Sequence, residues 1–372
     1  MTTELKQTKN SFKFIGKVTR IDKDGAYKQE EMTKGKMEGK TYRSLRFGVK
    51  TSETNDMTVQ MFDFEPEEVF LWNSDKRKAN SNYKGEKVAF DKWFKNQDKY
   101  RDGGYAVLQT RIGLTYDADE KLVSKGLPSF VASKDVYNNL DNGDYVAVEG
   151  DMRYSEYTNK DGKVIPQTNF TIKKVHRIKA LDFLAEDFEE ITFFEQEMVF
   201  VDADLVKEDK KVYVTGRTID YKKNFHDSQF VVDYSDGNGG TDAGMVKLAD
   251  AFVKKIQFGD VINVFGDAVN RVIVAEVEGE EEEQDDLYAS LGGKAKPSHS
   301  QPFTAKTYIN EMQITGIDAW DKKVYKEEDF VSNDLIEKEN DLTDELGGKK
   351  KSTKPNPFDI GEDEINEDDL PF

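Results

Sequence analysis

Apolar and polar residues alternate in short runs along most of the chain, and turns rich in Gly, Asp and Asn bound each run, the pattern of half-buried β-strands. FKFIGKVTRI (12–21), TYRSLRFGVKT (41–51) and MTVQMFDF (57–64) are predicted strands near the N-terminus. GDYVAVEGD (143–151) and GDVINVFGD (259–267) share Gly-Asp at both ends and a valine at the sixth position, which predicts an internal repeat. A helix-like apolar pattern precedes each copy, SFVASKDVYNNL and MVKLADAFVKKI, and another strand follows each, TNFTIKKVHRI and FTAKTYINEMQI. Upstream, SLRFGVKTS resembles DSQFVVDYS, and each lies behind a strand with an internal glycine, FKFIGKVTRI and VYVTGRTIDY. A glycine inside a strand marks a bulge or sharp bend, which a small barrel needs in order to curl.

The order is two or three bent strands, a helix and two more strands, given twice. That is the order of the OB-fold, a five-stranded Greek-key barrel with a helix before its fourth strand. A doubly wound parallel sheet would need a helix after nearly every strand. The expected fold is therefore mainly β: two OB-fold-like five-stranded barrels in tandem with short helices, plus a disordered acidic C-terminal tail. The expected domains are 1–185, with a large insertion at 65–140, then 186–330, with 331–372 as the tail.

Length agrees, since 372 residues with 37% hydrophobic content can bury two domain-sized cores. With no cysteine there is no disulfide frame and no thiolate metal site, and the three scattered histidines, His176, His226 and His299, cannot make a zinc cluster. No cofactor or metal is expected. No run approaches the roughly 18 apolar residues of a membrane helix, and MTTELKQTKN lacks the apolar segment of a signal peptide, so no membrane partner and a cytoplasmic location are expected.

The net charge of -19 argues against a nucleic-acid partner until it is divided along the chain. Residues 1–180 carry 33 Lys and Arg against 27 Asp and Glu, whereas 181–330 carry 16 against 33 and 331–372 carry 5 against 13. Only the first half is basic. There, strand 41–51 puts Leu45, Phe47 and Val49 on one face and Tyr42, Ser44, Arg46, Gly48 and Lys50 on the other. Strand 57–64 likewise puts Phe62 and Phe64 on a polar face. Burial under the following insertion is the bland account of those two rings; the sharper one makes them stacking platforms. Binding of a single strand needs cations that track the backbone together with exposed rings, each base stacked being worth about 1–3 kcal/mol. The candidate set is Tyr42, Arg43, Arg46, Lys50, Phe62, Phe64, Trp72, Lys76, Arg77, Lys78, Lys92, Trp93, Phe94, Lys95, Tyr100, Arg101, Arg111, Arg153, Tyr154, Tyr157, Lys173 and Lys174.

In the second copy, aligning Phe47 with Phe230 replaces Arg46 by Gln229 and Lys50 by Asp233, which favours a scaffold, dimerisation or protein-contact role there. Lys222, Lys223, Phe225, Arg217, Arg271 and Tyr308 could form a weaker groove. VEGEEEEQDD (277–286) reads as part of a long solvated hairpin loop rather than a metal site.

After Phe330 apolar periodicity is lost. GGKKKSTKPNP (347–357) reads as a flexible linker, and 359–369 holds seven acids and no bases. A solubility tail explains the acids but not Leu370, Pro371 and Phe372. An apolar tip behind an acidic run suits a ligand that acids steer to a basic surface, Phe372 entering a pocket while its carboxylate meets Arg or Lys. Asp368, Asp369, Leu370, Pro371 and Phe372 resemble the Asp-Asp-(Leu/Ile)-Pro-Phe tip of the bacterial single-stranded DNA-binding proteins. The detailed resemblance covers only these residues, beside the repeat and the basic, aromatic first half. It implies sequence-independent binding of single-stranded DNA, with the tip recruiting replication, recombination and repair proteins. Most bacterial members have one barrel per chain and form tetramers; two barrels resemble the dimeric members, and a homodimer is one expectation. The insertion and the poorly basic second copy depart from the pattern and point to a divergent version, phage-encoded or cellular.

The reading is a non-enzymatic protein that occludes a single strand. One alternative is a replisome adaptor whose barrels bind protein. Another is a nuclease or ligase, against which stand the lack of a Gly-rich phosphate loop, of a His/Asp/Glu cluster at metal spacing and of a nucleophile with a base. Flexible carboxylates mimic phosphate, so the tail should compete for the basic groove. Deleting 359–372 is expected to tighten oligonucleotide binding most at low salt and to abolish partner recruitment; unchanged low-salt affinity would refute the competition.

Overall fold

The computed structural model describes residues 3–35, 37–158, 162, 164–277 and 303–330. The chain is mainly β, with one large mixed sheet and few helices. The first half contributes β1 (Asn10–Thr19), β2 (Tyr27–Glu31), β3 (Thr41–Lys50) and β4 (Asp56–Phe64). An insertion follows: β5 (Glu68–Asn73), α1 (Ser74–Ala79), β6 (Glu86–Ala89), α2 (Phe90–Lys95), α3 (Gln97–Asp102), β7 (Tyr105–Ala106), β8 (Thr110–Tyr116) and β9 (Leu122–Leu127). Then come α4 (Ser129–Asn139), β10 (Tyr145–Thr158) and β11 (Val164–Arg177). The second half is β12 (Ile191–Val206), β13 (Lys211–Ile219), β14 (Phe225–Asp233), α5 (Ala243–Lys254), β15 (Val261–Val277) and β16 (Phe303–Asp321). No helix among the described residues is long and apolar enough to cross a membrane.

Pairings close into two rings of the same connectivity. β1 pairs β3, β3 pairs β4, β4 pairs β11 in parallel, β11 pairs β10, and β10 returns to β1. In the second half β12 pairs β13, β13 pairs β14, β14 pairs β16 in parallel, β16 pairs β15, and β15 returns to β12. Inward residues of alternating strands fill each ring, among them Phe14, Phe47, Val59 and Val148 in the first and Phe194, Val214, Phe230 and Val264 in the second.

The repeated Gly-Asp pattern has a backbone cause. Gly143 and Gly259 lead into β10 and β15 with φ of 97° and 83°, a left-handed conformation that glycine adopts at little cost. Gly150 and Gly266, the second glycines of the pattern, sit where the register with β11 and β16 slips. A Cβ on either would lie 1.9 Å from a carbonyl oxygen, that of Thr171 or Gln313. The slip leaves Lys173 and Thr315 as the extra, unpaired residues of the two bulges.

Two expectations are corrected. The helix SFVASKDVYNN belongs to the first ring's own order, so the insertion ends at residue 128 rather than 140. The repeat was also offset by one strand. ITFFEQEMVFVDADLV is the first strand of the second ring, so β13 corresponds to β3 and β14 to β4; the match of SLRFGVKTS with DSQFVVDYS set strands of different position against each other.

The rings are joined edge to edge. The first half of β1 pairs antiparallel with the first half of β12, Asn10 opposite Gln196 to Ile15 opposite Ile191. β1 then bends at Gly16, where a Cβ would meet the Lys50 carbonyl oxygen at 2.1 Å, and takes β3 as its new neighbour. A polar clamp reinforces the joint. Glu190 Oε1 accepts from Thr51 Oγ1 at 2.6 Å and Asn55 Nδ2 at 2.8 Å, and its Oε2 accepts from Arg271 at 2.7 Å. Buried Asn55 also receives the Asn270 N–H at 2.7 Å and donates to the Ala268 carbonyl at 3.2 Å. Removing the shared acceptor takes a charged hydrogen-bond partner from Thr51, Asn55 and Arg271 at once. Glu190→Ala and Asn55→Ala are each expected to lower unfolding free energy by about 2–4 kcal/mol in urea titrations; a loss below about 0.5 kcal/mol would show that this clamp does not hold the halves together.

Candidate nucleic-acid interface

Strand alternation puts Leu45, Phe47, Val49, Met57, Val59 and Met61 inside the first ring and turns Tyr42, Ser44, Arg46, Gln60, Phe62 and Phe64 outward. Register sets Tyr42 opposite Phe64, Ser44 opposite Phe62 and Arg46 opposite Gln60. The Tyr42 and Phe62 rings stack with centroids 5.4 Å apart, and Phe64 meets both edge-on, at 6.3 Å and 5.4 Å. All three rings are half-buried, sharing flanks but keeping open surface. β2 widens this face with Lys28 and Glu30, paired with Ser44 and Tyr42. The Tyr42 hydroxyl donates to Glu30 Oε2 at 2.8 Å. Burial first, then the bond and charge of Glu30, push the phenol pKa up to about 12, so the ring stays neutral and held in place.

Beside the platform lies a cleft of about 150 Å³ between β4, β10, β11, the β7–β8 loop and the start of α4, lined by residues 61–64, Gln109, Ser129, Arg153 and residues 171–173. Exposed Arg153 and the bulge residue Lys173 supply its cations; Lys173 lies 3.8 Å from Asp151. Asp63 supplies its acid. One oxygen accepts the Phe64 N–H at 2.9 Å and the other accepts from Gln109 Nε2 at 2.9 Å. Burial raises the Asp63 pKa, against the opposing pull of Gln109, the Phe64 N–H, Arg153 and Lys173.

The other candidates divide by place. Arg43 turns away from the platform: its guanidinium lies 4.0 Å from the Phe130 ring centre and donates to the Phe130 carbonyl at 2.9 Å, tying β3 to α4. Trp93, expected at the surface, is 3% exposed and packs with Phe90, so it is corrected to a core residue of the insertion. Tyr154 is corrected to a joint residue, its hydroxyl donating to buried Gln196 at 2.7 Å across the two halves. Lys174 donates to both Glu149 oxygens at 3.0 Å and neighbours Arg111 of β8, away from the platform. Lys50 pairs with Glu53 at 3.2 Å in the β3–β4 turn.

Within the insertion, Lys76 holds Glu86 at 2.7 Å and the Tyr105 hydroxyl at 2.5 Å, Arg77 donates to the Ser81 and Tyr83 carbonyls, and Lys78 and Arg101 pair with Asp75 and Asp98. Trp72 leans on Tyr83, and Tyr100 on Tyr105. Lys92, Lys95 and Phe94, 49% exposed, form the open side of α2. Tyr157 lies on β10, but its side chain is outside the described residues, as are that of Tyr308 and the tip from Asp368 to Phe372. Asp63, Gln109, Lys28 and Glu30 were not among the expected residues. An acid between two phenylalanines had the wrong sign for a phosphate site, and nothing in the spacing brings Gln109 to Asp63.

Corresponding positions in the second ring differ in chemistry. Gln313 O stands against Gly266 as Thr171 O stands against Gly150, and Gln313 pairs with Val231 as Thr171 pairs with Gln60. That register sets Val231 against Gln60, Asp233 against Phe62, Ser235 against Phe64, Tyr213 against Arg46 and Arg217 against Lys50. The aromatic platform has no counterpart, and Phe230 corresponds to Val59 rather than Phe47. The cations of this face are closed by acids: Lys211 lies 2.6 Å from Glu311, and Arg217 makes a two-pronged contact with Asp227 at 2.6 and 2.7 Å.

Residues 81–348 match the model of the YorF family, and the chain belongs to that family. No curated protein matches. Among solved structures, the wild-type single-stranded DNA binding protein from Thermus aquaticus is similar with a TM-score of 0.32 and 11% identity over 71% of this chain and 87% of that one. A deletion mutant of the same Thermus protein gives 0.32 and 11% over 71% and 88%.

Since burial holds the folded pKa of Asp63 above its unfolded value, the protonated form is favoured in the fold, and this group's favourable contribution fades as pH rises through the folded pKa. Asp63→Asn, which keeps an acceptor for the Phe64 N–H, should therefore melt at the same or a higher temperature than the parent at neutral pH. A clear fall in Tm would mean that the ionised carboxylate stabilises the cleft.

Proposed function

We propose that each ring is an OB-fold barrel, in domains spanning 1–185 and 186–330, and that the first barrel binds single-stranded DNA largely without sequence preference. The observation that carries the reading is the outer face of β3 and β4. Tyr42, Phe62 and Phe64 form one platform, with Arg46 on the same face and Arg153 and Lys173 at its side. Rings offer stacking to any base, and guanidinium and ammonium groups offer charge to the phosphates between bases. Phe94, Lys92 and Lys95 of α2 give an extended strand a second contact. The second barrel serves as a scaffold whose own cations are neutralised. The protein acts in the cytoplasm by occupancy rather than by catalysis, and the acidic tail with its Leu-Pro-Phe tip recruits replication and repair proteins, as the sequence resemblance implies.

Titrating the full chain with oligo-dT over a range of salt tests this reading. Affinity should fall linearly on a log-log plot. Arg46→Glu and Arg153→Glu should weaken binding and flatten the slope by about one unit per contact, whereas Phe62→Ala should cost about 1–3 kcal/mol with the slope unchanged. Absence of binding by the parent at low salt would refute the reading and favour a protein-binding adaptor.

A further inference from the structure

We propose that the cleft beside the aromatic platform is a pocket for a single cytosine, giving an otherwise unselective strand-binding face a preference at one position. The inference rests on the single-stranded DNA reading above. Its size is the first argument. About 150 Å³ of space in a cleft that opens to solvent gives room for one flat ring, and a single-ring pyrimidine fills it with less overhang than a purine.

Chemistry is the second argument. Phosphate does not suit the interior, because the Asp63 carboxylate would repel it; Arg153 and Lys173 are the groups for the backbone, and Asp63 with Gln109 is left to meet a base edge. Each Asp63 oxygen already holds one donor and can take another. Gln109 turns its NH2 to Asp63, which leaves its carbonyl oxygen as a further acceptor. Asp63 and Gln109 together offer acceptors that an amino group fits. Cytosine carries N4–H2, the donor that Asp and Glu accept in base recognition, whereas thymine and uracil carry O4 at that position and would set acceptor against acceptor. The rise in the Asp63 pKa fits a carboxylate held out of water for a partner.

Phe62 and Phe64 border both the platform and the cleft, so a base leaving the stack has a short path into the pocket. Asp63 lies between those two rings on β4 and lines the same cleft. One strand thus offers a surface that any base can use and an acceptor that few bases satisfy.

The test is competition among equal-length oligo-dC, oligo-dU and oligo-dT for the full chain at pH 8, where cytosine is neutral. The parent should bind oligo-dC about fivefold or more tighter than the other two, which should be alike. Asp63→Asn and Gln109→Ala should bring that ratio below about twofold with the salt slope kept. Gln109 is exposed, so its variant carries the test should Asp63→Asn fail to fold. Equal affinities in the parent overturn the pocket and leave the strand-binding reading intact. Oligo-dU binding like oligo-dC, with oligo-dT weaker, would mean exclusion of a methyl group and overturn the amino-group claim. A ratio unchanged in both variants overturns the assignment to Asp63 and Gln109. Binding of none of the three strands refutes the reading beneath it.

Discussion

Strand β1 is hydrogen-bonded along both edges, to β10 on one side and to β12 and then β3 on the other, and the rest of the molecule follows from that sharing. A strand left open at the first half of β1 would offer unpaired N–H and C=O groups to any passing chain. Here the first strand of the second ring takes that place, and the bend at Gly16 lets one strand serve both the joint and its own ring. The joint is not made by backbone alone. Thr51, Asn55 and Asp56 are bonded across it to Glu190 and Asn270 at 2.6–2.8 Å, with Arg271 holding Glu190 from its own side, so the turn between β3 and β4 is fixed against the second half.

That fixed turn closes the β3–β4 hairpin after Lys50 and Asp56, and the platform lies at the hairpin's other end, where Tyr42 faces Phe64. Three rings on β3 and β4 can present a set geometry to bases only if the strands beneath them do not shift, and preorganised groups bind with less ordering cost. The second half supplies none of these rings. Its own corresponding face has lost the rings, with Asp233 and Ser235 where the first half has Phe62 and Phe64, and its lysine and arginine are closed by Glu311 and Asp227. The two rings thus share connectivity but not surface chemistry.

Much of this was legible in the sequence, for physical reasons. The Gly-Asp repeat reported two left-handed turns, at Gly143 and Gly259, and two bulges, at Gly150 and Gly266, where a Cβ would strike a backbone carbonyl. Alternation placed Tyr42, Arg46, Phe62 and Phe64 on one face because a strand has a period of two. What failed were inferences from density. Trp93, Tyr154 and Arg43 lie in the same ring- and cation-rich segments, yet one fills the core of the insertion, one bonds Gln196 and one covers Phe130. Local composition cannot tell a ring that faces solvent from one that faces a neighbouring strand. The offset in the repeat has a similar origin: Phe47 and Phe230 both point inward, and inward phenylalanines match one another whichever strand they occupy.

The central claim is that a single strand lies across the outer face of β3 and β4. Photocrosslinking the full chain to oligo-dT carrying 5-iodouracil, with the attached residues mapped by mass spectrometry, examines it without altering the protein. The account predicts attachment at Tyr42, Phe62 or Phe64. Adducts confined to the second ring, or to the insertion, with β3 and β4 unmarked would contradict it.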